Sequence, residues 1–207
     1  MADAGERYKL DTSWNSGGWV VRSPEPADLV GVCALIDQAV GYGFLAPDDI
    51  DPRFSFLCSC EGRIVGVVVA TLASYADLRV FYRGRTPLTG WGVQPEPDTV
   101  GHVREVAVLE DLRRAGLARL LLTRSETAFR ERGVEVFVAN AWIRRDTQEA
   151  LGGFLFDSCG YRSAGEIPGF FESVGAEGGA ACPACGRYAC MCSVRAYIKD
   201  ARATGIN

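Results

Sequence analysis

The sequence predicts an α/β (α+β) fold, in which a mixed β-sheet has helices on both faces. Hydrophobic residues make up 48% of the 207 residues, which is enough to form a substantial core. Segments with strand and helix periodicity follow one another in the order β-α-β-β and then β-α-β-α-β-β. Because the two kinds of element alternate, a sheet covered by helices is the simplest way to bury their apolar faces.

The first half of the chain contains three strand segments and one helical segment. Residues 19–22 alternate weakly and predict a short strand, and residues 23–40 have apolar side chains at helical spacing after a Ser-Pro start. Residues 53–60 and 63–74 predict two strands that a Glu-Gly turn joins as a hairpin. Within the second of these strands, Gly66 is expected to mark a β-bulge.

The second half predicts four strands and two helices, after a long connection. Residues 75–101 show no clear period, and long connections of this kind often carry function. The segments that follow are a strand at 102–109, an amphipathic helix at 113–132, a buried strand at 134–142, a helix at 146–159, and strands at 161–167 and 192–200.

Domain organisation and charge narrow the class of protein. We expect a flexible lead-in over residues 1–18 and a single domain over residues 19–207. The net charge is −4, so the protein as a whole has no excess positive charge that would attract nucleic acid or an anionic membrane. No apolar run reaches the roughly 20 residues that span a bilayer, and the polar start lacks the apolar stretch of a signal peptide. We therefore expect a cytoplasmic protein with reduced thiols and no nucleic-acid or membrane partner. A homodimer is compatible with the sequence, which does not fix the oligomeric state.

The segment RRAGLA at residues 113–118 joins a buried strand to the start of a helix. Small side chains at Ala115, Gly116 and Ala118 let a ligand approach the backbone closely. The first amides of a helix have no intrahelical partner and lie at the positive end of the helix dipole, so such a turn can bind phosphate. Three arginines add positive charge nearby: Arg113, Arg114 and Arg119.

This segment resembles motif A of the GNAT acyl-CoA N-acyltransferases, Arg/Gln-x-x-Gly-x-Gly/Ala, and the element order from Trp19 to Asp200 is similar to the whole GNAT fold. The resemblance implies a mostly antiparallel sheet of about seven strands and acetyl-CoA as co-substrate. It implies that pantetheine pairs with the strand near Val106 and Val108, and that the Val106 amide polarises the thioester carbonyl. The diphosphate would bind the amides of Arg114, Ala115, Gly116, Leu117, Ala118 and Arg119.

Acylation of an amine needs a group that accepts the amine's proton, because an alkylammonium has a pKa of about 10. His102 is the only histidine in the chain and lies at the start of the motif strand, where several GNAT subfamilies hold their general base. Alternation along an ideal strand puts His102 on the face of Val106 and Val108, and Glu105 on the other face unless a bulge re-aims it. We expect His102 to be the base and keep Glu105 as the second candidate.

The sequence departs from the family at the residue that protonates the departing CoA thiolate. Many GNAT enzymes carry a tyrosine four residues before a Gly-Phe pair. The corresponding pair here is Gly160-Tyr161, and Phe156 stands at the tyrosine position. A phenyl ring has no proton to donate, so Tyr188, Tyr197 or water are the alternatives for the general acid.

Four cysteines lie within eleven residues near the end of the chain, with the spacing C-x2-C-x4-C-x-C. Four thiolates fit a closed tetrahedral Zn²⁺ site, which would be structural because it leaves no open coordination position. Free thiols, a disulfide pair or an iron–sulfur centre are the alternatives. The predicted ligands are Cys182, Cys185, Cys190 and Cys192.

The predicted metal loop covers residues 168–192 and extends the hairpin loop that borders the acceptor pocket in the GNAT fold. We expect zinc to stiffen an acceptor-binding wall there, with Glu172 meeting a cationic amine. Its aromatic members would be Phe170, Phe171 and Tyr188. The same rings could instead pack over the metal as a small core.

These features predict an acetyl-CoA-dependent N-acetyltransferase, in which a primary amine attacks the thioester directly in a ternary complex. A small-molecule amine is the expected acceptor, and a protein lysine or N-terminus is the next choice. The alternative of a different class is a non-catalytic, zinc-braced acyl-CoA sensor, which the phenylalanine at position 156 would allow.

Overall fold

The computed structural model describes residues 6–7, 18–39, 45–82, 92–144, 148, 150–170 and 192–202. The strands in these ranges are β1 (Glu6–Arg7), β2 (Val20–Arg22), β3 (Phe56–Cys60), β4 (Arg63–Ser74), β5 (Thr99–Val108), β6 (Val136–Ile143), β7 (Ala150–Leu151), β8 (Arg162–Ile167) and β9 (Ser193–Asp200). The α-helices are α1 (Leu29–Ala39), α2 (Tyr75–Phe81), α3 (Leu117–Arg130) and α4 (Gly153–Ser158). Short 3₁₀ helices cover Pro26–Asp28, Pro47–Asp49 and Glu110–Leu112.

The chain folds into two compact units, and β4 and β5 contribute residues to both. The first unit comprises Met1–Thr71 and Arg104–Arg132. Its strands follow the order β1-β2-β3-β4-β5, and the first four are antiparallel neighbours. Helix α3 packs on β3, and Phe129 of the helix stacks on Phe54 with ring centroids 4.6 Å apart.

Gly66 lies where β3 and β4 change register. Cys58 pairs with Gly66, but the next residue, Ser59, pairs with Ile64, so Val65 is an extra residue on β4. A Cβ atom at Gly66 would come within 3.1 Å of Leu121 of α3, which explains why the helix can pack so closely there. The predicted bulge at this glycine is confirmed.

The second unit comprises Leu72–Val103 and Gly133–Asn207. Its strands follow the order β5-β6-β9-β8, and β7 pairs with β6. The β5–β6 pair is parallel, while β6–β7, β6–β9 and β8–β9 are antiparallel. Because antiparallel pairs outnumber this parallel pair in the described registers, the predicted α/β fold with a mixed, mostly antiparallel sheet is confirmed.

Two predictions in the second unit are wrong in extent, and both errors have a local cause. Among the described residues of the predicted helix at 146–159, Gly153–Ser158 is helical (α4), whereas Gly152 adopts a left-handed conformation with φ 83° and Ala150–Leu151 pairs with β6 as a strand. The predicted connection at 75–101 contains helix α2. Its first turn is capped by Ser74, whose hydroxyl oxygen accepts a hydrogen bond from the Asp77 amide at 3.2 Å.

The expected lead-in over residues 1–18 contains a short strand, since Glu6–Arg7 pairs with Val20 and Val21. Single-domain organisation over residues 19–207 stays a prediction. In the ranges described here, no helix is long and apolar enough to cross a membrane.

Candidate active site

The turn between β5 and α3 is tightly wound before the helix begins. The Leu112 amide donates to the Leu109 carbonyl at 3.0 Å, and the Arg113 amide donates to the Glu110 carbonyl at 3.2 Å. Arg114 then adopts φ 67° and Gly116 adopts φ 85°. Left-handed backbone costs a non-glycine residue about 1–2 kcal/mol, and such strain is typical of functional turns.

These two positive φ angles delay the start of the helix, which was predicted at residue 113 and begins at Leu117. The first helical hydrogen bond runs from the Leu120 amide to the Gly116 carbonyl at 3.0 Å. Within the described parts of the chain, the amides of residues 117–119 therefore have no backbone acceptor. They are available to a ligand.

The space outside this turn is open and positively charged. A Cβ atom placed on Gly116 would meet no atom within 4 Å. The arginine side chains of the motif are exposed: Arg113, Arg114 and Arg119. Open amides, an open face at Gly116 and three cations are together suited to an anionic group such as a phosphate.

Arg113 also connects the β5–α3 turn to the end of β5 through a hydrogen bond. Its Nε donates to the Val108 carbonyl at 3.2 Å, so the first residue of the motif joins β5 to the loop after it. Val108 is buried and Val106 is half-buried on the same strand. The structure thus brings together, in the first unit, the predicted strand contacts and the predicted amide run.

Glu105 precedes these strand residues in the first unit. Although the residue as a whole is half-buried, burial of its carboxyl group raises the pKa of Glu105 to about 7, against the opposing attraction of Arg104. Arg104 itself donates from Nη1 to Asp49 at 2.9 Å and holds the pKa of Asp49 below its usual range. A carboxyl group with a pKa near 7 exchanges protons readily at neutral pH.

His102 lies in the second unit, three residues earlier on β5, and the structure places it in a hydrogen-bond chain with two residues that the sequence did not predict, Tyr82 and Asn140. Its Nε2 is 3.3 Å from the hydroxyl oxygen of Tyr82, and that hydroxyl donates to Oδ1 of Asn140 at 3.0 Å. The Tyr82 ring stands edge-on to the imidazole, with centroids 6.4 Å apart. The Tyr82 ring also contacts the ring of Phe170, with centroids 6.3 Å apart. Phe170 is the one member of the predicted acceptor wall that lies in the described residues.

Two sequence signals point to these missed residues. Ser74 and Asp77 form a Ser-x-x-Asp start pattern for the helix that Tyr82 follows. Asn140 is the one polar side chain in the apolar run of β6.

Phe156, which stands where the resemblance leads one to expect a tyrosine, belongs to a buried aromatic cluster. The Phe156 ring lies 5.3 Å from the ring of Tyr197 and 5.5 Å from that of Tyr161. Tyr197 is buried, and a hydrogen bond between its side chain and Arg195 raises the pKa of Arg195. Tyr188 lies outside the described residues.

Three of the four predicted zinc ligands, Cys182, Cys185 and Cys190, also lie outside the described residues. Cys192 is fully buried and lies directly before β9. Where the structure describes side chains, no group of three or more His, Cys, Asp or Glu residues is arranged to hold a metal. The zinc site therefore stays a prediction.

The sequence matches the acetyltransferase (GNAT) family from residue 6 to residue 161. No curated protein sequence matches it. The fold resembles the ribosomal-protein-S18-alanine N-acetyltransferase of Escherichia coli, at 15% identity over 88% of this chain and 94% of that chain, with a TM-score of 0.56. It resembles Arabidopsis thaliana Naa50, solved in complex with the bisubstrate analogue CoA-Ac-MVNAL, at 11% identity over 87% and 97% of the two chains, with a TM-score of 0.57.

A third similar fold is the loading GNATL domain of CurA from Lyngbya majuscula, at 16% identity over 89% of this chain and 98% of that domain, with a TM-score of 0.61. At these identities the structural likeness concerns the fold, while the family match covers most of the sequence and includes the β5–α3 turn. The protein therefore belongs to the acetyltransferase (GNAT) family.

Proposed function

We propose that this protein transfers an acetyl group from acetyl-CoA to a primary amine, with a small-molecule amine as the leading acceptor. The observation that carries the proposal is the turn before α3. Its two left-handed residues, Arg114 and Gly116, leave three helix amides open beside exposed arginines. Family membership supports acyl transfer as the class of reaction, and the analogue bound to Naa50 contains CoA.

In the proposed reaction the diphosphate binds the amides of residues 114–119, and the backbone amide of Val106 donates to the thioester carbonyl oxygen. The amine nitrogen forms a bond to the acetyl carbon, the C–S bond breaks, and CoA leaves as a thiolate. A donor aimed at the carbonyl oxygen stabilises the negative charge that develops there. The proton of the amine passes to a base on the enzyme.

We propose His102 as that base and Glu105 as the second candidate. His102 is supported by its place beside Tyr82, which contacts Phe170 of the expected acceptor wall. Glu105 is supported by a pKa of about 7, which suits a carboxylate that must take up a proton near neutral pH.

The two candidates are separated by measuring kcat/KM against pH for His102→Ala and Glu105→Gln. Loss of the true base is expected to lower kcat/KM by about 10²–10⁴-fold and to remove the acidic limb of the profile. If His102→Ala keeps the wild-type kcat/KM and an unchanged acidic limb, His102 is not the general base and Glu105 becomes the candidate for that role.

The proposed activity is tested by mass spectrometry of the acylated product, with acetyl-CoA and a panel of small amines, polyamines, amino-acid derivatives and peptides with free N-termini. The peptides are included because the Escherichia coli structure is named for N-acetylation of a protein alanine. Acetylation of the peptides in preference to the small amines would reassign the acceptor to a protein N-terminus. Tight binding of acetyl-CoA with no turnover on any amine would contradict the proposed activity and favour the alternative of a non-catalytic acyl-CoA sensor.

We also propose that Cys182, Cys185, Cys190 and Cys192 hold a structural Zn²⁺ ion, on the strength of their spacing. Elemental analysis of the purified protein is expected to find one zinc per chain, and Cys185→Ser to lose it. If the metal stiffens an acceptor-binding wall, KM for the amine rises in this variant while KM for acetyl-CoA stays constant. An unchanged KM for the amine after loss of the metal would contradict the wall.

A further inference from the structure

Tyr82, His102 and Asn140 come from three separate elements of the second unit and meet at one hydroxyl group. Tyr82 directly follows α2, and its amide donates to the Leu78 carbonyl at 2.9 Å, which continues the helical hydrogen bonding. His102 pairs with Val138 in the parallel β5–β6 register, and Asn140 lies two residues beyond Val138. Side chains two residues apart on a strand share a face, so the register puts His102 and Asn140 on the same face of the sheet.

The single proton of the Tyr82 hydroxyl determines the direction of both hydrogen bonds. The amide oxygen Oδ1 of Asn140 can only accept, and it lies 3.0 Å from the hydroxyl oxygen, so the proton of Tyr82 points to Asn140. Toward His102 the same oxygen must then act as an acceptor, and at 3.3 Å it accepts from an N–H at Nε2. In the neutral imidazole, the basic lone pair therefore lies on Nδ1.

We propose that Tyr82 and Asn140 are positioning residues that hold His102 in its Nε2–H tautomer, so that Nδ1 is the nitrogen that receives the proton of the amine. This assignment of a catalytic proton acceptor rests on the proposed function. The hydrogen-bond chain itself does not, because it is given by the fold of the chain alone. Tyr82 is only 1% exposed, so water competes little for its hydroxyl, and the chain can fix the tautomer.

The proposal makes an asymmetric prediction for the two partners. In Tyr82→Phe the hydroxyl is lost, and His102 is expected to populate both tautomers. In Asn140→Leu the hydroxyl loses its acceptor and can donate to Nε2 instead, which reverses the tautomer to Nδ1–H. Asn140→Leu should therefore lower kcat more than Tyr82→Phe, for which we expect a loss of about tenfold, at the low end of what general-base catalysis contributes. KM for acetyl-CoA is expected to remain unchanged in both.

The double variant gives the sharpest kinetic test. Without the Tyr82 hydroxyl, residue 140 no longer acts on His102, so Tyr82→Phe/Asn140→Leu should recover the kcat of Tyr82→Phe alone. Independent structural damage would instead make the two losses multiply. Multiplied losses would overturn the proposal.

The tautomer can be read directly, because His102 is the only histidine in the chain. In uniformly ¹⁵N-labelled protein, long-range ¹H–¹⁵N correlation of the neutral imidazole is expected to show a protonated Nε2 and a pyridine-type Nδ1. The pattern should become mixed in Tyr82→Phe and reversed in Asn140→Leu, while backbone amide spectra confirm that each variant is folded. Tyr161→Phe, which removes a hydroxyl from another buried tyrosine, should leave the wild-type pattern.

An Nδ1–H tautomer in the wild type, or the wild-type pattern in Asn140→Leu, would overturn the proposal. Because the spectra need no substrate, they decide it even if no amine in the panel is acetylated, a result that would refute only the proposed function. A tautomer that responds as expected, with a wild-type kcat in Tyr82→Phe, would remove the catalytic part of the inference.

Discussion

Replacing Gly116 by alanine tests the phosphate-binding turn with a single methyl group. The new Cβ would meet no protein atom within 4 Å, so the substitution creates no steric clash. Its cost to the fold is the left-handed backbone at φ 85°, which we expect to lower the free energy of unfolding by about 1–2 kcal/mol. The same methyl group occupies the open face where the diphosphate would approach the helix amides.

The effect on binding follows from the hydrogen bonds that the methyl group blocks. A hydrogen bond to a charged group contributes about 1.5–3 kcal/mol, and each 1.4 kcal/mol is a tenfold change in Kd. Displacing one phosphate oxygen from its amide should therefore raise the Kd for acetyl-CoA by about 10- to 100-fold. Isothermal titration calorimetry measures this change, and denaturant unfolding measures the cost to stability.

Gly133 provides a matched control just after the other end of α3. It also has a positive φ, 75°, and a Cβ there also meets no atom within 4 Å. Gly133→Ala should therefore cost a similar free energy of unfolding and leave the Kd for acetyl-CoA unchanged. Equal weakening of acetyl-CoA binding by both variants, or wild-type binding by Gly116→Ala, would refute the placement of the diphosphate at this turn.

Three further predictions concern buried groups. Burial raises the pKa of Glu105 to about 7 in the folded protein, whereas the same carboxyl group ionises near 4.5 in the unfolded chain. The free energy of unfolding of the wild type should therefore fall as pH rises from 4.5 to 7, by up to about 3 kcal/mol, and then level off. Denaturation measured at a series of pH values should show no such fall in Glu105→Gln. Gly153→Ala would bring a Cβ within 2.9 Å of the Tyr197 hydroxyl and within 3.0 Å of the Ala150 Cβ, so we expect a loss of about 1–3 kcal/mol in unfolding free energy. Tyr197→Phe in the same chain removes the hydroxyl contact alone and should restore part of that loss; no recovery would exclude the hydroxyl as a cause. Burial raises the pKa of Cys58 to about 12, so native protein at pH 8 should resist alkylation there, as peptide mass spectrometry can show, whereas unfolded protein should not.

The parts of the fold that the sequence predicts well are those in which local pattern and tertiary packing agree. The apolar, β-branched run of β4 predicts a strand at 63–74, and its bounds match the structure, because each residue favours the conformation that the core also requires. The turn at 113–116 was predicted from small residues and arginines, but its positive φ angles moved the helix start to residue 117. That shift exposes the amides, and it depends on a strained conformation at Arg114 that no propensity favours.

The partners of His102 illustrate the opposite case. Tyr82 lies twenty positions earlier in the chain and Asn140 lies thirty-eight positions later, so their meeting depends on a parallel strand pair and the end of a helix. Strand periodicity places His102 on a face of β5, but it cannot say which side chain from another element covers that face. Only the folded chain brings a tyrosine hydroxyl to within 3.3 Å of the imidazole.

With phenylalanine at position 156, the proposed reaction depends more on the group that accepts the amine's proton than on a group that protonates the departing thiolate. A thiol has a pKa of about 8.5, so at pH 7 the protonation of a departing thiolate is worth only about 2 kcal/mol, and water can supply the proton. An alkylammonium with a pKa of about 10 is neutral in only about one molecule in 10³ at pH 7, a deficit of about 4 kcal/mol. In the proposed mechanism, the phenylalanine therefore leaves the cheaper of the two proton transfers to water. The more costly transfer is the one that the proposal assigns to His102 or Glu105, and for His102 it depends on which imidazole nitrogen carries the lone pair.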